Sequence, residues 1–286
     1  MQQKRNTFLV LGGGAVGRLI AARLPEAVVL EQQHKAQYTL LADRGAHYLW
    51  HRVPCVKTAP MRVYTYVDTH YPDTGRVVAY KRKVGKLADV DTRDKLNEVM
   101  RTQFCPERVG FRVLRWPDGD IRFGQMVAKI DAKKRVVTTY DSVLCKTRRW
   151  RYDTLVSTIP LPALAQAVGE DVPLSFTPLH AHTTQRESTR GKDILCMNYI
   201  ADPSTPLYRM TMHGRNMLCE SLVSMEGGFN IWPGKIHRTP ESEALVLRMF
   251  EEYNVRLFGR FGAWAPDELM HETWERIDQW ASAGAM

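Results

Sequence analysis

The 286-residue chain carries 40 Lys and Arg against 31 Asp and Glu, a net charge of +9, with 44% apolar residues, enough to bury a sizeable core in one compound domain or two. No apolar run approaches the roughly 18 residues of a membrane span, and no signal-peptide pattern precedes the first strand, so a soluble cytoplasmic protein is expected, with no membrane partner. The five cysteines are scattered, with no CxxC pair, which excludes a disulfide framework and a thiolate metal site.

The first predicted strand, Thr7–Leu11, runs into Gly12-Gly13-Gly14-Ala15-Val16-Gly17 and a helix over Arg18–Leu24; the apolar run Ala27–Leu30 then predicts a second strand ending on Glu31. This is a dinucleotide-binding fingerprint in its strand-helix-strand setting. Gly12 permits the tight turn, Gly14 lets the backbone approach a pyrophosphate, and Gly17 allows helix to pack closely on strand. The helix N-terminus supplies partial positive charge. Glu31 stands at about the 20-residue separation at which an acid grips ribose hydroxyls. Its charge repels a 2'-phosphate and disfavours NADP; NAD and the adenosine half of FAD both fit.

Further along, helical periodicity marks Arg93–Thr102, and a hairpin is predicted from Phe111–Leu114 and Ile121–Phe123 around Pro117-Asp118-Gly119-Asp120. A second pair, Met126–Ile130 and Val136–Tyr140, alternates around Asp131–Arg135. Basic residues cluster in Lys81-Arg82-Lys83, Lys133-Lys134-Arg135 and Lys146–Arg151, where Arg148, Arg149 and Arg151 surround Trp150. That pattern suits phosphate contact with base stacking, or a solvated turn. Tyr152–Ile159 predicts a buried strand stopped by Pro160 and Pro162. His180 and His182 share a strand face without further ligands, so no metal is expected. Leu207–Met212 predicts a strand with Arg209 and Thr211 on one face and Tyr208 and Met210 on the other. Helices are predicted over Glu241–Phe258 and Pro266–Trp280.

Three separated segments resemble the flavoprotein superfamily that contains the FAD-dependent amine oxidases and UDP-galactopyranose mutase. They are Gly12–Glu31 with Gly45-Ala46-His47-Tyr48-Leu49, Tyr152–Pro162, and Phe258-Gly259-Arg260-Phe261-Gly262-Ala263-Trp264. The resemblance implies an α/β fold, with a discontinuous Rossmann-type FAD-binding domain (1–50, 111–164, 236–286) and a reduced, strand-rich substrate domain (51–110, 165–235). It implies FAD as cofactor, held by Gly12, Gly13, Gly14, Ala15, Val16, Gly17, Glu31, Thr158, Pro160, Gly259, Arg260 and Phe261. A C-terminal glycine and arginine loop favours FAD over NAD, because FAD must also be held at its distal end. The chain departs from the family in its short length and in lacking paired glycines between Glu31 and Gly45.

The implied chemistry is oxidation at a carbon attached to nitrogen in an amino-containing substrate. Tyr208 would line the substrate face, Arg209 would clamp a carboxylate, and His47 would contact the ring; Lys235 is a further candidate. The chain also resembles small flavin oxidases of tailed phages that hypermodify thymine, which implies glycine attached to thymidine in DNA as substrate. The alternatives are a redox-neutral mutase, which the short middle region fits poorly, and an NAD-linked dehydrogenase or nucleotide-binding module.

Overall fold

The computed structural model describes residues 7–34, 48–67, 79–80, 83, 104–185 and 193–283. In chain order the elements are β1 (Phe8–Leu11), α1 (Ala15–Arg23), β2 (Val28–Glu31), β3 (Tyr48–Leu49), β4 (Lys57–Val67), β5 (Phe104–Arg115), β6 (Asp120–Phe123), β7 (Gln125–Asp131), β8 (Val136–Asp141) and β9 (Lys146–Arg151). There follow β10 (Thr154–Ser157), α2 (Leu161–Val168), β11 (Phe176–Gln185), β12 (Ile194–Tyr199), β13 (Leu207–His213), β14 (Asn216–Ser221), β15 (Phe229–Ile236), α3 (Pro240–Glu251), β16 (Val255–Leu257) and α4 (Met270–Ser282). His47 and the helix expected over 93–102 lie outside the described residues. No described helix is long and apolar enough to cross a membrane.

The chain divides into two compact units, the first drawn from Met1–Thr58, Val113–Ser175 and Arg238–Met286, the second from Ala59–Arg112 and Phe176–His237. Residues 165–175, expected in the substrate domain, belong to the first unit. A boundary at 164 would cut α2, which packs as one piece against β7.

In unit 1 a parallel sheet runs in the order β16-β10-β1-β2-β6. Phe8–Leu11 and Leu155–Val156 are at most 2% exposed, as a strand covered on both faces requires, and this is why they read as unbroken apolar runs. β1 is followed by β2 on one side and flanked by β10 on the other, so the strand order reverses beside it. In such sheets the ligand crevice lies at the strands' carboxyl ends.

The hairpin expected over 111–123 does not form. β6 pairs parallel with β2, Val29 opposite Ile121, while β5 belongs to a different sheet. The Pro-Asp-Gly turn is seated against α1: a β-carbon on Gly119 would lie 2.5 Å from the Ala21 methyl. The second hairpin does form, and with β9 it makes an antiparallel meander β7-β8-β9, so Lys146–Arg151 is strand rather than turn. The helix expected over 241–258 is also corrected. It starts at a capping box between Thr239 and Ser242 with Pro240 in its first turn, ends at Glu251, and Asn254 (φ 52°) turns the chain into β16. Asn is among the few non-glycine residues that take this left-handed conformation readily.

Unit 2 is built on a mixed sheet in which β15-β11-β14-β13-β12 are antiparallel neighbours, β12 pairs parallel with β4, and β5 follows β4. Tyr80, Leu179, Ala201 and Tyr208 form a buried cluster there.

Candidate functional site

The carboxyl ends of β1, β10 and β16 bring the three motif segments together within unit 1. Gly12 leaves β1 with φ 96°, and its N–H donates to Leu30 O at 2.8 Å, tying the turn to β2. Thr158 closes the other side: its N–H donates to Leu11 O (2.9 Å), and its hydroxyl donates to Leu11 O (3.0 Å) and Gly12 O (3.2 Å). A β-carbon on Gly12 would meet that hydroxyl at 2.6 Å. The glycine is thus required by space as well as by backbone angle.

Glu31, 7% exposed, accepts hydrogen bonds from Gly13 N–H (2.7 Å) and Gln33 N–H (2.8 Å), one on each carboxylate oxygen. A carboxylate offers about four acceptor sites, so two remain. Gly13 lies flat on this side chain, where a β-carbon would be 2.9 Å from Glu31 Cβ. Gly14 caps α1 with no side-chain cap, and nothing lies within 4 Å of the place a β-carbon would take. The first N–H groups of α1, on Ala15, Val16 and Gly17, have no acceptor within the helix, and the helix dipole adds partial positive charge. Gly17 acts differently from expectation. A β-carbon there would strike Gly12 O at 1.9 Å, whereas Val29 on the strand stands at 3.7 Å. It is the turn, more than helix-on-strand packing, that demands glycine.

The C-terminal segment docks on this same turn. Gly259 (φ 78°) lies against Val16, a β-carbon on it falling 2.8 Å from Val16 Cγ2. Phe258 N–H donates to Ser157 O (3.1 Å), and Phe261 O accepts from Leu161 N–H (3.0 Å) at the start of α2, which Pro160 caps. A β-carbon on Gly262 would fall 2.6 Å from Phe258 O and 3.0 Å from Ser157 O. Trp264 is 1% exposed and anchors the segment. Arg260 is exposed, and its Nη2 donates to Glu268 O at 3.4 Å.

Unit 2 contains the other candidates, around a residue the sequence reading missed. Tyr208 and Arg209 were expected on opposite faces of β13, but a bulge between Leu207 and Arg209 breaks the alternation. Tyr208 OH donates to Glu220 Oε1 (2.8 Å), and Arg209 grips both oxygens of the same carboxylate, Nη2 to Oε1 at 2.7 Å and Nε to Oε2. The fork expected to clamp a substrate carboxylate is therefore filled by Glu220. Burial works to raise the Glu220 carboxyl, yet the Arg209 charge, with help from Lys235 and the Tyr208 hydroxyl, outweighs it and holds the pKa below the usual carboxylate range. Burial, and then the Glu220 charge, push the Tyr208 phenol well above its ordinary value. The Lys235 ammonium stands 5.2 Å from the Tyr208 ring centroid. His180 Nδ1 is hydrogen-bonded to Asn230 Oδ1 at 2.7 Å, and among the described residues no group of three His, Cys, Asp or Glu could hold a metal. Glu220 was visible as an acid within the apolar strand Met217-Leu218-Cys219, but its partners depend on a register that a bulge hides.

No family model and no curated protein matches the chain. Among solved structures it superposes on reduced UDP-galactopyranose mutase with a TM-score of 0.64 at 12% identity, covering 99% of this chain and 95% of that one. The chain has that fold. The glycerol-3-phosphate dehydrogenase from Bacillus halodurans, complexed with FAD, aligns with a TM-score of 0.49 at 13% identity over 99% of this chain and 66% of its own. A fatty acid isomerase from P. acnes aligns with a TM-score of 0.45 at 9% identity over 100% of both chains. The parallel sheet of unit 1 and the likeness to the mutase make the α/β architecture with a Rossmann-type unit the observed one, assembled from stretches far apart in sequence.

Proposed function

We propose that unit 1 binds FAD and that the protein is an FAD-dependent oxidoreductase. The observation that carries this is the convergence of Gly12–Gly17, Thr158–Pro160 and Gly259–Phe261 on one turn at the sheet's switch point. The residues fit the cofactor. Glu31 keeps two acceptor sites for ribose hydroxyls, Gly14 faces open space where a pyrophosphate would approach, and α1 offers unfilled N–H donors. An NAD site of the plain kind has no use for a C-terminal segment whose Gly259 is locked onto Val16 and whose Gly262 is locked onto Phe258 O and Ser157 O. A bound flavin supplies the hydride acceptor, which leaves the chain to bind, orient and exclude water.

The substrate reading follows from this as a narrower proposal. The reaction is oxidation of a carbon attached to nitrogen in an amino compound, with glycine linked to thymidine in DNA as its most specific form; the net charge of +9 supports a polyanionic substrate. Because Arg209 is held by Glu220, recognition of a substrate carboxylate falls to other residues. A redox-neutral mutase is the second reading. It is supported by the likeness in fold to UDP-galactopyranose mutase, which spans 95% of that chain.

The test begins with the cofactor released from purified protein on denaturation, identified by chromatography and mass. FAD is expected; a protein that binds NAD and fails to take up FAD on reconstitution overturns the proposal. The FAD-loaded protein is then given glycine-modified DNA and free amino acids in air, and separately UDP-galactopyranose without oxygen after its flavin has been reduced with dithionite. Hydrogen peroxide with the first two marks the oxidase, and an isomerised sugar nucleotide without peroxide marks the mutase.

A further inference from the structure

The meander β7-β8-β9 has one buried face and one that is open over the rows of Tyr140 and Thr138 and closes at Val136, which is 5% exposed. Across the strands, Gln125, Asp141 and Lys146 share a row, as do Val127, Thr139 and Arg148, and Ile130, Val137 and Trp150. On that face Val137 and Thr139 are fully buried and Asp141 is 3% exposed. Arg148 belongs there, its Nε 2.8 Å from Asp141 Oδ2 as a charge contact, and Trp150 Nε1 donates to Thr139 Oγ1 at 2.9 Å.

The opposite face carries the rows Met126-Tyr140-Thr147, Lys129-Thr138-Arg149 and Asp131-Val136-Arg151. The register shift between Val127 and Lys129 matters here, because it puts Met126 and Lys129, three residues apart, on one face. Lys129 and Arg149 therefore flank Thr138 with no acid between them, and Arg151 continues the line about 7 Å further along β9. Lys133 and Lys134 extend it at the β7–β8 turn. Asp131 is matched by Lys134 at 3.2 Å and also feels the Lys129 charge; among the described residues no carboxylate lies within ion-pair distance of Lys129, Lys133, Arg149 or Arg151. At the other end of the strip Tyr140 is 38% exposed and Met126 48% exposed; Thr147 stands opposite Tyr140 on β9, and the Tyr140 hydroxyl is hydrogen-bonded to the Cys145 side chain.

We infer that this outward face binds single-stranded nucleic acid, with Lys129, Arg149 and Arg151 on successive phosphates and Tyr140 as a stacking platform. A rigid sheet face with a cationic track and an exposed aromatic ring is what sequence-tolerant single-strand binding requires. The charges run along β9 for about 7 Å from Arg149 to Arg151, and the strip from the Tyr140 row to the Arg151 row spans about 13 Å. A lipid surface would instead be met by basic residues ringing one apolar tip. The β8–β9 turn does expose Val143 and Leu144, but of the basic residues on this face Arg149, Arg151 and Lys129 lie away from it. The sequence pattern alone groups Arg148 with Arg149 and Arg151, whereas the register assigns Arg148 to the buried face and brings in Lys129. No fingerprint residue is involved, so the inference does not rest on the flavin reading.

The experiment measures binding of a dye-labelled, mixed-sequence single-stranded DNA oligonucleotide to the full chain by fluorescence anisotropy across a salt series. A triple variant, K129A/R149A/R151A, is compared with a control triple, R62A/R115A/R238A, which removes the same charge elsewhere. The first is expected to lower the magnitude of the log K against log salt slope by about 2 and to weaken binding at least tenfold, at about 0.7 in slope per phosphate. The control is expected to leave the slope nearly unchanged. Tyr140→Ala should weaken binding roughly tenfold with the slope intact. A glutamine version of the first triple, checked for native circular dichroism, guards against unfolding as the cause. Equal slopes for the two triples, or no binding by the native chain at low salt, overturn the inference. So does vesicle binding, tested by sedimentation with phosphatidylserine-containing vesicles, that the first triple abolishes while oligonucleotide binding persists.

Discussion

A β-carbon placed on Gly17 would lie 1.9 Å from the carbonyl oxygen of Gly12, closer than any bonded-free pair of such atoms can come. The obstacle is backbone, so no side-chain rotation relieves it. Gly17→Ala is therefore expected to cost about 4 kcal/mol or more, at the upper end for one substitution, and to prevent FAD uptake. Gly14→Ala makes the contrast. Gly14 has an ordinary extended φ of −60° with open space before it, so the variant should fold with little change in Tm yet lose FAD affinity at least tenfold. Thermal melts of the apoprotein and titration with FAD separate the two effects. A Gly14→Ala protein that binds FAD normally would remove the pyrophosphate from this turn.

Glu31 holds two backbone N–H groups at once, so it shapes the loop before any ribose arrives. Glu31→Gln keeps one acceptor and turns an amide donor toward the other N–H. The loss of a charge-assisted hydrogen bond predicts about 1.5–3 kcal/mol of destabilisation in the apoprotein, read as a lower urea midpoint. FAD affinity should fall as well, because the ribose loses its anionic acceptor. An unchanged urea midpoint would place the Glu31 carboxylate elsewhere than on Gly13 and Gln33.

The Tyr208-Arg209-Glu220 cluster makes stability depend on acid. Glu220 titrates lower in the folded chain than the roughly 4.3 of an unfolded glutamate, so its contribution is fully present above that pH and is lost as pH falls through the folded value. Urea unfolding between pH 7 and pH 3 should show this loss in the native chain. Glu220→Gln should remove it and cost about 3 kcal/mol at neutral pH, the lower end for breaking a buried pair, since the Arg209 side chain is 27% exposed. The double variant Glu220→Gln with Arg209→Met should recover part of that cost. A pH profile that Glu220→Gln leaves unaltered would assign the acid sensitivity to other carboxylates.

The glycine turn was legible in sequence because each of its residues answers a local demand of backbone angle or space, and such demands leave a spacing that can be counted. Unit 2 was less legible. Arg209 and Tyr208 obey strict alternation in sequence, but one bulge at Leu207/Arg209 aims both at Glu220, and bulges leave no compositional mark there. The same limit explains the absent hairpin. Asp118-Gly119 is good turn chemistry, yet β6 finds a parallel partner in β2 across some ninety residues, a pairing set by tertiary packing rather than by the turn itself.

The contact between Gly259 and Val16 links the C-terminal segment to the first turn of α1 and supplies the sharpest test of the proposed site. Alanine at Gly259 meets two obstacles, a left-handed φ of 78° and a β-carbon 2.8 Å from Val16 Cγ2. The backbone strain alone is about 1–2 kcal/mol and no second change can remove it. The steric part can be removed, because Val16→Ala deletes the offending methyl. In a double-mutant cycle read by Tm and by FAD retention, Gly259→Ala should reduce both, and adding Val16→Ala should restore part of each. Recovery of Tm without recovery of FAD binding would mean that the loop's position, beyond its packing, is needed for the cofactor. Strict additivity would mean that the C-terminal loop and the helix N-terminus are not coupled through this contact, and the case for one continuous FAD site would fail at its central joint.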